Sequence, residues 1–165
     1  MLKKLKNTRV TDLMQGNEFA LKPEQTLTQA LRAMAEADCT QALVMDGERL
    51  LGYIRTQDLL RGLWSCEFDA DNQPTVDALM QTELTTVSAQ ESLGHLLESW
   101  VVDRDKLFPV NDMGSLICSG YLSYEERLRK AASPLPELLP VMERDRVLGV
   151  LSRQQVSNWV AAQLG

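Results

Sequence analysis

The sequence is short of the residues on which catalysis and metal binding are usually built. It has one histidine, His95, and three cysteines, Cys39, Cys66 and Cys118, with no C-x-x-C pair among them. One imidazole and three scattered thiols do not present the several nitrogen and sulfur ligands of a zinc site. No Cys or Asp stands at triad spacing from His95, which is read as a surface or partly packed helical residue. An odd, widely spaced set of thiols is not a disulfide framework; it suits a reduced, cytoplasmic compartment with buried thiols. No apolar run approaches the ~18–20 residues of a membrane span. The basic start, Met1 to Lys6, lacks a following apolar stretch, so no signal peptide is expected. There is no Walker loop, no G-x-G-x-x-G and no G-x-S-x-G. Together these absences lead to the expectation of a non-enzyme with no cofactor and no metal site.

What remains is an ordinary globular composition, 44% hydrophobic and 24% charged over 165 residues. That length fits one compact unit or two small subdomains sharing a core. The net charge of -6 is unevenly placed. Segment 1–9 holds Lys3, Lys4, Lys6 and Arg9 and no acid, leaving 13 basic against 23 acidic groups in the rest. A body that acidic repels a phosphate backbone, so no nucleic-acid partner is expected. One small nucleotide can still be held by local dipoles and a cation or two. Segment 1–9 is read as a basic tail, disordered or docking.

Internal repetition carries the most information. A helical pattern (Leu27, Ala30, Leu31, Met34) leads to an apolar strand, Ala42 to Met45, then a turn at Asp46-Gly47 and a return strand, Leu50 to Ile54. A second helical pattern (Leu93, Leu96, Leu97, Trp100) leads to Leu107-Phe108-Pro109-Val110, a turn at 111–114 and a return strand from Leu116 to Leu122. Leu27 to Val44 and Leu93 to Val110 both span 17 positions. Val44 to Gly52 is 8 positions and Val110 to Gly120 is 10. A third hairpin follows: Leu138-Leu139-Pro140-Val141 echoes 107–110, and Asp145-Arg146-Val147-Leu148-Gly149 echoes Glu48-Arg49-Leu50-Leu51-Gly52, with 8 positions from Val141 to Gly149. An amphipathic helix around Val156, Trp159 and Val160 ends the chain. Each copy also has a V-x-x-L-M lead-in, Val10 to Met14 and Val76 to Met80. Segment 65–74, acidic and closed by Pro74, reads as a linker.

The V-x-x-L-M lead-in, the amphipathic helix, the "L-P-V" strand and the Gly-containing return strand leading into a helix together resemble the cystathionine-β-synthase (CBS) domain. The resemblance covers 10–63 well and 76–160 irregularly. It implies an α+β fold of tandem CBS repeats, each a small mixed three-stranded sheet packed with two helices. The expected organisation is a tail at 1–9, repeat 1 at 10–64, a linker at 65–74 and an irregular repeat 2 at 75–165. Because there is one hairpin too many, two alignments compete. Repeat 2 ends near Ala132 with an extra C-terminal hairpin plus helix, or the Leu138 hairpin is its true second half and 90–122 is inserted. The first is preferred, since Leu93 to Val110 supplies a full-length helix, whereas Pro134 and Pro136 break the alternative one.

The resemblance also implies a regulatory module, or Bateman module, that binds an adenosine nucleotide (AMP, ADP, ATP or S-adenosylmethionine) in the inter-repeat cleft. It further implies a homodimer and a protein effector that the sequence does not name. In the family a Ser/Thr at the hairpin exit touches phosphate and an Asp three residues on binds the ribose hydroxyls. Carried over, the first exit has Arg55 and Asp58, with Thr56 as a nearby hydroxyl; Arg55 could pair with phosphate as a charged fork. The second exit has Ser123 and Glu126, and the third Ser152 and Gln155. The same residues have a purely structural reading: Thr26-x-x-Gln29, Ser123-x-x-Glu126 and Ser152-x-x-Gln155 are all capping boxes, and an acid such as Asp58 suits a first helical turn. The alternative function is therefore an interaction or dimerisation scaffold of degenerate repeats without a small ligand. Trp64, Trp100 and Trp159 are read as core or interface anchors, and the face carrying Leu59, Leu60, Leu63 and Trp64 as one that meets a partner repeat or subunit.

Overall fold

The computed structural model describes residues 2–65, 72–117, 122–132 and 137–164. The expected Cys66, Cys118, Pro134 and Pro136, the middle of the linker and most of the Leu116–Leu122 strand lie outside them. Two mixed three-stranded sheets form the frame. In the first, β1 (Ala20–Leu21) runs parallel to β2 (Gln41–Asp46), which pairs antiparallel with β3 (Arg49–Arg55). In the second, β4 (Val87–Ser88) runs parallel to β5 (Leu138–Glu143), which pairs antiparallel with β6 (Arg146–Ser152). The registers match residue for residue. Val44 faces Gly52 and Val141 faces Gly149, and both hairpins bulge immediately after that valine.

Side-chain caps set the start of several helices. In α2 (Leu27–Glu36) Thr26 and Gln29 form the reciprocal capping box, satisfying two N–H groups that the first turn leaves without partners. Helix α5 (Leu93–Val101) starts at Ser92, whose hydroxyl accepts from the His95 N–H. Helices α3 (Thr56–Ser65) and α8 (Arg153–Leu164) continue directly from β3 and β6. Each sheet buries one apolar face against its helices. The first core gathers Leu27, Met34, Val44, Ile54 and Leu59; the second gathers Leu93, Trp100, Val141, Leu151 and Val156.

The lead-ins cross between the repeats. Val10 belongs to the second core and Val76, which opens α4 (Val76–Leu79), to the first. Gln15 exchanges two backbone hydrogen bonds with Val150 (2.8 and 2.9 Å), and Gln81 exchanges two with Tyr53 (2.8 and 3.0 Å). This explains the paired glycines. A Cβ on Gly149 would lie 2.3 Å from the Gln15 carbonyl oxygen, and one on Gly52 would lie 2.5 Å from that of Gln81. Only glycine allows another backbone to approach so closely.

Two expectations are corrected. The C-terminal hairpin is not an extra: Val141, not Val110, pairs with Val87 in the second sheet. Helix α5 nevertheless comes from the competing alignment, since Leu93, Leu96 and Trp100 pack on that same sheet. The surplus therefore falls between them. Four residues, 37–40, join α2 to β2, whereas thirty-six, 102–137, join α5 to β5. This excursion holds α6 (Arg104–Leu107), α7 (Tyr124–Lys130) and a small turn in which Val110 bridges Leu116 outside both sheets. The second concerns segment 1–9, which is docked and not disordered. It forms α1 (Leu2–Asn7), which packs on α5 with Leu5 against the second core and Lys4 donating to Gln163 at 3.0 Å. Gly94 admits it, since a Cβ there would lie 3.3–3.4 Å from Leu5 and Lys6.

Candidate functional site

The pseudo-symmetry makes Arg55, Thr56 and Asp58 at the β3–α3 exit the counterparts of Ser152, Arg153 and Gln155 at the β6–α8 exit. The two exits share a local geometry and differ in chemistry. At the first, Asp58 Oδ2 accepts from the Arg55 backbone N–H at 3.1 Å. The Arg55 side chain also donates twice to that carboxylate, from Nε and Nη2, each at 3.0 Å. Arg61 Nη1 approaches it at 3.6 Å. Asp58 is 3% exposed, the one buried charged side chain among the described residues, while the Arg55 side chain remains 42% exposed. Burial pushes the Asp58 carboxyl up, but the hydrogen bonds and charge of Arg55, with Arg61 behind, outweigh it and hold the group below the usual carboxylate range. Arg55 is raised in turn, chiefly by its hydrogen bond to Asp58. Thr56 is tied to the connection between α2 and β2, its N–H donating to the Thr40 carbonyl at 2.9 Å.

At the second exit Ser152 and Gln155 form a neutral capping box: Gln155 Oε1 accepts from the Ser152 N–H, and the Ser152 hydroxyl accepts from the Gln155 N–H at 3.2 Å. The Gln155 Nε2 is buried without a partner. The Arg153 guanidinium stacks 5.6 Å above the Trp100 ring. Ser123 and Glu126 stand apart from both exits. They cap α7 in the excursion with a reciprocal box at 2.8 and 3.2 Å. The six residues expected at the site thus fall in three places: Arg55, Thr56 and Asp58 together, Ser152 at the pseudo-symmetric exit, and Ser123 with Glu126 on a separate short helix.

Sequence reasoning passed over the hairpin tips. Arg146 Nη2 donates to Glu48 Oε1 at 2.8 Å, joining the turn of one repeat to that of the other. A cleft of about 350 Å³ lined by Ala20, Met45, Glu48, Arg146 and Val147 lies on one side. A second, of about 540 Å³, is lined by Arg49, Leu50, Met142 and Asp145 with the same ion pair. The echo of Glu48-Arg49-Leu50 by Asp145-Arg146-Val147 marks the two turns as counterparts, but not that they meet.

Other side chains singled out beforehand are also placed. His95 is 73% exposed and its Nδ1 lies 2.6 Å from Glu91 Oε1. Cys39 is half-buried, with burial and the nearby Asp38 charge both pushing its thiol up. Among the described residues no three His, Cys, Asp or Glu gather as metal ligands, and no helix is long and apolar enough to cross a membrane.

This architecture is that of paired CBS domains. Residues 10–65 match the family model of the CBS domain. That match covers the first repeat, and the fold as a whole is similar to that of solved CBS-domain pairs. A CBS domain-containing protein from Bacillus anthracis is similar over 98% of both chains, with a TM-score of 0.67 and 16% identity. The CBS-domain containing protein ATU1752 from Agrobacterium tumefaciens is similar over 93% of this chain and 99% of its own, with a TM-score of 0.58 and 15% identity. The CBS domain pair of protein MJ0100, solved in complex with 5′-methylthioadenosine and S-adenosyl-L-methionine, is similar over 94% of this chain and 98% of its own, with a TM-score of 0.58 and 14% identity. Comparison with curated protein sequences finds no match.

Proposed function

We propose that the protein is a regulatory module that senses an adenosine-containing nucleotide (AMP, ADP, ATP or S-adenosylmethionine) through its first repeat. The observation that carries this is Asp58, a charged side chain buried at a hairpin exit and neutralised chiefly by a neighbour that can move. A carboxylate taken out of water is costly to keep. Structural capping does not require it, because Gln155 caps the equivalent helix without a charge. Arg55 is exposed enough to swing away, exchanging Asp58 for an anionic group of the ligand and freeing the carboxylate to accept from a ribose diol. That exchange couples occupancy to the exit of β3 and so to the lead-in at Gln81 that crosses from the other repeat. The adenosine ligands of the MJ0100 pair support this ligand class.

The test is calorimetric titration of the full chain with each of the four ligands. At least one binds the wild type, and Asp58→Asn, which retains an acceptor for the Arg55 N–H, weakens it about tenfold or more (roughly 1.4 kcal/mol). No binding of any of the four at millimolar concentration overturns the reading.

A second reading, dimerisation through the first repeat, rests on a separate observation. Trp64 is 93% exposed and Leu60 54% exposed on α3, while Leu59 of the same helix is fully buried. An indole so exposed on an ordered helix suits an interface anchor. Sedimentation of the wild type and Trp64→Glu tests it: a dimer that the substitution dissociates supports the interface, and a wild-type monomer at high concentration removes it.

A further inference from the structure

Among the described residues twelve large apolar side chains are exposed, and seven of them lie in the excursion between α5 and β5. The excursion takes no part in either sheet or either core cluster. It is nevertheless anchored. Leu107 and Ala131 are buried, Val102 bridges Ala132, and the Asp103 N–H donates to the Ala131 carbonyl at 2.7 Å. From that base the chain makes a small hairpin, 109–117. The Ile117 N–H donates to the Pro109 carbonyl at 2.7 Å and the Asn111 N–H to the Ser115 carbonyl at 2.9 Å. The Asn111 side chain accepts from the Met113 and Ser115 N–H groups across the turn. These bonds make Val110 and Leu116 the pair whose own N–H and C=O groups point away from the hairpin. No backbone hydrogen bond among the described residues occupies those groups. The two side chains share one face with that of Phe108, and all three are exposed, Val110 57% and Leu116 59%.

We infer that this hairpin is a contact between two copies of the chain, in which the Leu116 strands pair antiparallel across a two-fold axis and Leu116 packs against its own copy. A two-stranded hairpin outside a sheet is marginal in water, and four strands with an apolar face are not. The Leu116 edge is self-complementary, since its one N–H and one C=O meet the same two groups of the copy. Pro109 blunts the opposite edge. The stretch 107–117 has a single charge, Asp112 at the turn, on a chain of net charge -6. Two acidic copies therefore meet here with the least repulsion. Antiparallel pairing also sets the two Asp112 carboxylates at opposite ends of the joined sheet. A carboxylate at the turn opposes insertion of the same apolar face into lipid. The described part of the excursion, 102–117 and 122–132, is as large as one side of a stable interface, ~20–30 residues. This contact needs neither the nucleotide nor the α3 face that carries Trp64.

Sedimentation equilibrium of the full chain tests the contact, in the Trp64→Glu background so that an α3 interface does not mask the result. That chain is expected to associate still. Adding Leu116→Lys, at an exposed position outside both cores, is expected to weaken association about tenfold or more and to leave the circular dichroism of the fold unchanged. Cross-linking reads the register. With Cys39, Cys66 and Cys118 replaced by serine, oxidised glutathione should join two copies through Leu116→Cys, because residues facing one another in such a pair have Cα atoms about 5.5 Å apart, within disulfide reach. Met113→Cys should not cross-link, since the two turns lie at opposite ends. A Trp64→Glu chain that stays monomeric at high concentration, association untouched by Leu116→Lys, or equal cross-linking of Met113→Cys and Leu116→Cys overturns the contact. A monomer that binds phosphatidylglycerol vesicles, and loses that binding on Leu116→Lys, assigns the face to lipid and overturns it as well.

Discussion

The first repeat passes from helix to strand in four residues, and the second takes thirty-six for the same step. Yet the strands on the far side of that excursion return to the same register, with the same bulge and the same buried pattern along β2 and β5. The core therefore depends on which faces meet, not on the length of chain between them. Loop closure explains the tolerance, because its entropic cost grows only with the logarithm of length. The repeats diverge instead where they do not bear on packing. One exit carries a buried, ion-paired aspartate and the other a neutral glutamine.

The largest effect is expected where the repeats hold each other. Gly149→Ala or Gly52→Ala forces a methyl group into the crossing Gln15 or Gln81 backbone and should cost about 2–3 kcal/mol each. Thermal melting measures it. If the lead-ins are dispensable, neither substitution will shift the melting temperature appreciably. Next comes the exit asymmetry. Asp58→Ala removes the acceptor of the Arg55 N–H and of the guanidinium and should cost about 2 kcal/mol, against about 1 kcal/mol for Gln155→Ala, which loses only a cap. Equal losses would mean that the charge at Asp58 has no structural weight.

The same comparison has a pH dependence. Asp58 is depressed in the folded protein, so its contribution is fully present above the unfolded carboxylate value of 3.8 and is lost as pH falls through the lower folded value. The stability gap between wild type and Asp58→Asn should hold at neutral pH and close in acid. A parallel titration of Gln155→Ala, where nothing ionises, should show no such closure. The smallest effect is at the turns. Gly47 has φ +59°, which costs glycine nothing, but Arg144 at the equivalent place has φ +54°. Arg144→Gly should raise stability by about 0.5–1 kcal/mol in chemical denaturation; a loss would show that the Arg144 side chain contributes more than its backbone strain costs.

Much of this was legible in the residues. Thr26, Ser123 and Ser152 signalled their capping boxes through the partner three positions on, a local rule that tertiary context did not override. The repeated Leu-Gly of 51–52 and 148–149 marked the true hairpin pair, and the equal Val-to-Gly spacing of 44–52 and 141–149 supported it. The Leu107–Val110 strand misled because four residues of local pattern cannot say which strand finds β4. Val141 wins through sheet pairing and burial, which are non-local. The lead-in crossing was hidden for the same reason: nothing in Val10 or Val76 says that each packs in the other repeat's core. At the site, Arg55 and Asp58 were readable as neighbours, but their bidentate closure and the Glu48–Arg146 bridge, 98 residues apart, belong to geometry alone.

The most direct test of a pair with one nucleotide-competent repeat is amide chemical-shift mapping of the full chain during titration with ADP. The account predicts perturbations at Arg55 to Leu59, with Leu151 to Val156 unmoved. Equal perturbation of the two exits, or none at either, would contradict it.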